Sequence, residues 1–188
     1  MKRMRKLMII VIAVVVVIVV LIAAAFAAIS LDLSSLGANG SQTLNPAGTS
    51  VGKALVVYSP GFSGAAQRDA EKIAGDLQAR GYTVVLAGVR SGTTGSNSGY
   101  NIVVAGGPMY FGQVSSAIDG YLKTVPSNAK LGVFGSTGSS SFSQIDFQSL
   151  QNQVASDTHN EKAVLKLILD GNETSDCADF VTNLVQQG

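Results

Sequence analysis

Short apolar runs alternate with amphipathic stretches through most of this chain. Residues 54–58, 82–87, 101–105, 129–134 and 163–169 are runs rich in Val, Ile, Leu and Ala, with few polar interruptions. Their length and β-branched content predict strands, and the lack of strict alternation predicts strands covered on both faces. Between them the period changes to three and four. Ala66, Ala70, Ile73 and Leu77 mark one face of a helix whose other side carries Gln67, Arg68, Lys72 and Asp76, and Gly81 follows as a C-cap glycine would. Val114, Ile118, Leu122 and Val125 predict a second helix, and Phe147, Leu150 and Val154 a third. Cys177, Phe180, Val181, Leu184 and Val185 predict a last one, N-capped by Thr174, Ser175 or Asp176. Residues 90–99 are too short and glycine-rich for a crossover helix and predict a loop or a single turn. Asp69 and Asp76, seven residues apart, are expected to face water.

Five β runs separated mostly by helices predict an α/β domain with a parallel, doubly wound sheet. In such a sheet ligands bind beyond the carboxyl ends of the strands, beside the switch in strand order. Three loops of small residues stand at those ends, 59–64, 106–112 and 135–139. The first, Ser59-Pro60-Gly61-Phe62-Ser63-Gly64, leads into the first helix, whose free N–H groups suit a phosphate. Arg68 is a candidate counter-charge. The second presents Met109, Tyr110 and Phe111, which can stack a flat ring or plug the end of the core. The third offers N–H groups to polar ring atoms.

The N-terminus changes this picture. Residues 7–29 carry no polar side chain and follow Met1-Lys2-Arg3-Met4-Arg5-Lys6. As a helix they would span about 34 Å, enough for a hydrocarbon core of roughly 30 Å. A cleaved signal peptide is the competing reading, since Ala25-Phe26-Ala27 offers small residues at the right spacing. Its apolar region would be about 19 residues, beyond the usual 7–15. The expected organisation is a basic segment 1–6, an uncleaved signal anchor at 7–30 in the bilayer, a flexible linker at 31–52 and a folded domain at 53–188. The positive charges precede the span and none follows before Lys53, so the N-terminus is expected in the cytoplasm and the domain outside. Asn39 and Asn172 head glycosylation sequons that matter only on that side.

From Lys53 onward there are 9 Lys and Arg against 11 Asp and Glu, without a basic patch, and the chain has no Trp. A nucleic-acid partner is not expected. The single cysteine, Cys177, excludes an internal disulfide and reads as a small buried hydrophobe. His159, the one histidine, lies in a polar run and reads as a surface residue. No Ser-His-Asp set, metal cluster or carboxylate pair assembles from spacing, and no metal site is expected.

At the loops the sequence resembles the flavodoxins and related flavodoxin-fold domains. These have a strand ending in Tyr, a Ser/Thr-x-Thr-Gly-Asn-Thr phosphate loop and a helix containing Ala-Glu-x-Ile-Ala. This chain has Val56-Val57-Tyr58, a loop through Ser63-Gly64, and Ala70-Glu71-Lys72-Ile73-Ala74. The family's Gly-x-Pro-x-Tyr-x-Gly loop is matched at Gly106, Pro108, Tyr110 and Gly112, and Gly135-Ser136-Thr137-Gly138 looks like its third loop. The resemblance implies a five-stranded sheet in the order 2-1-3-4-5 and non-covalent FMN. Ser59, Pro60, Gly61, Phe62, Ser63, Gly64, Ala65 and Ala66 would hold the phosphate. Pro108, Met109, Tyr110, Phe111 and Gly112 would lie along the ring on one side, and Ser136, Thr137 and Gly138 on the other. The sequence departs from the family where Gly61, Ala65 and Ala66 replace residues with polar side chains, weakening the phosphate loop.

The resulting expectation is an FMN-binding, membrane-tethered electron carrier with a membrane or extracytoplasmic redox partner. No catalytic side chain is needed, because the flavin would carry the chemistry. The alternatives are a flavin-free binding or structural domain of the same fold, and an FMN-dependent quinone reductase.

Overall fold

A computed structural model describes residues 2–31, 38–95, 98–126, 129–137, 141–158, 160, 162–169 and 172–186, with side chains in the first stretch from 8 to 25 only. The chain forms two units, Met1–Leu33 and Ser34–Gly188. The first is a single helix, α1 (Lys2–Leu31). Over Met8–Ala25 every side chain is exposed, and the stretch is long and apolar enough to cross a membrane.

The second unit contains β1 (Ser41–Leu44), β2 (Gly52–Tyr58), α2 (Ala65–Ala79), β3 (Tyr82–Gly88), β4 (Ile102–Tyr110), β5 (Gln113–Val114), α3 (Ser116–Leu122), β6 (Lys130–Thr137), α4 (Gln144–Asp157), β7 (Val164–Leu169) and α5 (Glu173–Gln186). The sheet order is β1-β3-β2-β4-β6-β7, with β5 paired to β4. The five strands from β3 to β7 along this path are parallel. In chain order they run 2-1-3-4-5, as expected, and the crossover between β3 and β4 holds only a 3-10 turn at Gly92–Gly95.

Strand periodicity explains both layers. Ala54 and Val56 point to a core with Ala70, Ile73 and Leu77 of α2 and Phe180, Val181 and Leu184 of α5. Leu55 and Val57 point the other way, to Ile118 and Leu122 of α3 and Leu150 and Val154 of α4. Both faces of β2 are dry, which is why its sequence is apolar without alternation.

Four boundaries differ from the sequence pattern. Ser41–Leu44, inside the expected flexible linker, is strand β1, antiparallel to β3 with Ser41 opposite Ala87 and Leu44 opposite Val84. Its residues are mostly exposed, so the backbone ladder holds it rather than an apolar face, and no hydrophobic period marks it. Gly106–Tyr110 of the expected second loop continues β4, because the ladder to β6 runs on through Pro108 and Ser136. Gly135–Thr137 of the expected third loop likewise belongs to β6. Helix α3 covers 116–122 rather than 114–125. Val114 pairs with Met109 in β5, and Pro126 disfavours helical backbone at Val125.

Candidate functional site

β2, β4 and β6 end side by side. The chain leaves β2 at Ser59, whose N–H donates to the Gly106 carbonyl at 3.0 Å, and turns back over the sheet. Gly61 and Gly64 both have φ of 69°, a region open to glycine at little cost. Gly61 must also be small, since a Cβ there would fall 2.9 Å from Pro108 Cβ. Gly64 caps α2 without a side-chain hydrogen bond, and the first turn holds no acidic residue. The positive end of the α2 dipole therefore opens toward the strand ends. The Ala65 N–H reaches only the Ser63 hydroxyl, at 3.3 Å. Arg68 folds back over this turn and donates from Nη1 to the Ser63 carbonyl at 3.1 Å.

Opposite this turn, Phe111 at φ 51° and Gly112 at φ 78° close the hairpin between β4 and β5. The rings of Phe62 and Tyr110 lie 6.1 Å apart, tilted by 52°, within the range of favourable aromatic contacts. Met109 lies across Gly135, where a Cβ would fall 2.6 Å from the Met109 sulfur. These elements enclose a cleft of about 210 Å³ lined by Phe62, Ser63, Ala65, Ala66, Pro108, Met109, Tyr110, Ser136 and Thr137.

Nine of the sequence-expected site residues thus meet on one cleft. Ser59 is buried beneath the loop. Pro60, Gly61 and Gly64 shape the turn without lining the cleft. Phe111 is 79% exposed at the rim. Gly112 packs on α4, where a Cβ would lie 3.1 Å from the Ser149 hydroxyl. Gly138 and His159 lie outside the described residues.

Asp69 corrects a sequence expectation. It does not face water but is 1% exposed, and its Oδ2 accepts a hydrogen bond from the Ser136 hydroxyl in the cleft wall. Its Oδ1 is buried without a hydrogen-bond partner. Burial is the main reason its carboxyl rises from 3.8 to about 6; Glu173 pushes the same way, and Ser136, Lys72 and Arg68 oppose it. The signal was present in the spacing, because position 69 falls on the stripe formed by 66, 70, 73 and 77. Cys177 packs behind it, with its sulfur 3.8 Å from the Asp69 carbonyl. Burial first, and Asp69 second, push that thiol up to about 12, so it is no nucleophile at neutral pH.

A second correction concerns paired carboxylates. Asp119 of α3 and Asp157 of α4 share the Lys123 ammonium, which lies 2.8 Å from Asp119 and 3.6 Å from Asp157. The neighbouring Asp157 carboxyl first, with Lys123 and Gln153, holds Asp119 down at about 2, while burial raises Asp157. Gln153 Nε2 donates to Asp119 at 3.2 Å. None of these four lines the cleft, and the cluster clasps two helices. Among the described residues no group of His, Cys, Asp and Glu has the arrangement of a metal site.

A parallel sheet of this order with helices on both faces is the doubly wound α/β architecture, and the cleft lies at its switch point. Solved structures narrow this. Flavodoxin 2 from Bacillus cereus superposes with a TM-score of 0.54 at 18% identity, over 72% of this chain and 99% of that one. A flavodoxin from Streptococcus pneumoniae gives 0.52 at 17%, over 72% and 99%. An NADH:FMN oxidoreductase in its apo form gives 0.57 at 10%, over 71% and 88%. The chain has the flavodoxin-like fold. No protein-family model and no curated protein matches the sequence.

Proposed function

We propose that this protein is a membrane-tethered, FMN-binding electron carrier. The observation that carries this reading is the convergence of an uncapped helix N-terminus, an aromatic pair and a polar strand end on one cleft. These donors fit a phosphorylated planar cofactor. The N–H groups at the start of α2 and the Ser63 hydroxyl would take the phosphate, with the Arg68 guanidinium as counter-charge. Tyr110 and Phe62 would flank the ring, and Ser136 and Thr137 would face its polar edge. When bound, FMN supplies one- and two-electron transfer, and the chain's part is to hold the ring and limit water around it. The flavodoxin-like neighbours support the same reading. Tethering rests on α1, with the basic residues 2–6 on the cytoplasmic side and the domain outside.

A flavin-free domain is the competing reading, and the site itself favours it in two respects. The cleft is below the roughly 300–1,000 Å³ typical of small-molecule sites, and the ionisable Asp69 stands behind a loop meant for an anion. Titration of residues 38–188 with FMN, followed by flavin fluorescence, separates the two. The expected result is quenching that saturates at one FMN per domain and is weaker with riboflavin. No quenching at tens of micromolar FMN would remove the electron carrier and leave the binding domain.

A further inference from the structure

Behind the polar wall of the cleft stands a carboxyl. Ser136 lines the cleft, and its hydroxyl donates to Asp69 Oδ2. Ala65 and Ala66 line the cleft from the first turn of α2. Asp69 follows them by four and three positions, a spacing that puts side chains on one helix face, with Cβ atoms about 5–6 Å apart. The carboxyl therefore lies under the wall that the start of α2 presents to a ligand. Neither alanine has a polar group to screen it.

The groups around Asp69 leave its charge poorly compensated. On α2, Arg68 donates to the Ser63 carbonyl and Lys72 lies 3.5 Å from Glu173. On α5, Glu173 adds a like charge, Asp176 pairs with Lys166 of β7 at 2.9 Å, and the Cys177 thiol meets the Asp69 carbonyl at 3.8 Å. β6 supplies only the Ser136 hydroxyl, and Oδ1 is buried without a hydrogen-bond partner. Burial outweighs the two cations, so the carboxyl keeps its proton up to about pH 6.

A phosphate at the start of α2 would face this carboxyl across a dry wall. A second negative charge favours the protonated acid, and the linkage is reciprocal: protonation favours the anion. We propose that Asp69 is the specificity-determining residue of the cleft, admitting a phosphate-bearing ligand as its carboxyl takes up a proton from solvent and disfavouring that ligand while ionised. The inference rests on the FMN reading of the cleft. Affinity is highest below the free value of Asp69 and falls as the pH rises from there to the ligand-bound value. Each unit by which the bound phosphate raises Asp69 makes that fall about tenfold.

The test titrates the full chain in detergent micelles with FMN and with riboflavin, between pH 5 and pH 8, following flavin fluorescence. The FMN phosphate loses its own second proton at about pH 6, so Asp69→Asn serves as the reference. The parent should lose about tenfold more FMN affinity across this range than Asp69→Asn, and the two should keep parallel riboflavin profiles. Calorimetry in Tris and in Pipes at pH 7 should register more proton uptake on FMN binding by the parent than by Asp69→Asn. Ser136→Ala removes the donor that lowers Asp69, so the fall in FMN affinity should move to higher pH, which a merely structural role would not cause. This variant decides the matter by itself if Asp69→Asn fails to fold. Parallel FMN profiles for parent and Asp69→Asn, or an unmoved midpoint in Ser136→Ala, overturn the inference and leave the flavin reading standing. Absence of quenching in every protein at every pH removes the flavin reading and this inference with it.

Discussion

Burying Asp69 against Ser136 places a carboxyl that prefers its proton inside the folded domain. Its folded value of about 6 lies above the ordinary 3.8. Stability linked to this group is therefore fully present below about pH 4 and lost as the pH rises through 6. The rise from 3.8 to about 6 corresponds to about 2–3 kcal/mol at neutral pH. Asp69→Asn keeps a partner for the Ser136 hydroxyl and removes the charge. Urea unfolding should show the variant more stable than the parent at pH 7.5 and no more stable at pH 4. Equal destabilisation at both values would mean that Lys72 and Arg68 already neutralise the carboxylate. Pattern reading put Asp69 on the water side by its residue type, although its helical position lay on the apolar stripe. Cys177, by contrast, was legible, because its type and its spacing agree.

At the level of elements, β1 is the addition that spacing could not show. Ser41-Gln42-Thr43-Leu44 offers one half-buried side chain, Leu44, and is otherwise exposed. Its place is set by the unpaired edge of β3 and by Gly88, where a Cβ would overlap the Ala38 carbonyl. Gly88→Ala should therefore displace the start of β1 and cost about 1–3 kcal/mol, as overpacking does. Hydrogen exchange gives the sharper check. The amides of Gly88 and Arg90, which donate to Gly40 and Ala38, should lose protection, while those of β2 and β4 keep theirs. Unchanged protection would show that the backbone there adjusts without releasing the strand. The hairpin of β4 and β5 was legible only in part. Gly106, Pro108, Tyr110 and Gly112 marked a special loop, but the continuation of the ladder to Pro108 depends on β6 lying alongside.

For the whole molecule, β1 changes what counts as the domain. A piece spanning 50–188 leaves the edge of β3 open, with Val84 and Leu86 at its centre, and an open apolar edge recruits other chains. A piece spanning 38–188 keeps that edge covered. Sedimentation should find the longer piece monomeric and the shorter one associating, with a lower Tm. Identical behaviour would show that β1 adds no protection. The same strand starts at the cleft end of the sheet, because its first residue, Ser41, lies opposite Ala87 near the end of β3.

The sequence by itself determined the apolar N-terminal span, the five parallel strands and their layers, and the three stretches around the cleft. Each of these depends on local composition and period, which burial on both faces imposes directly on the residues. Tertiary structure alone decided the rest. β1 joins the sheet through backbone hydrogen bonds that leave no mark on side-chain pattern. Asp69 meets Ser136, 67 positions away, and Asp119 meets Asp157, because packed helices and strands bring them together. The direction from which the chain enters the domain follows from the antiparallel sense of one short edge strand.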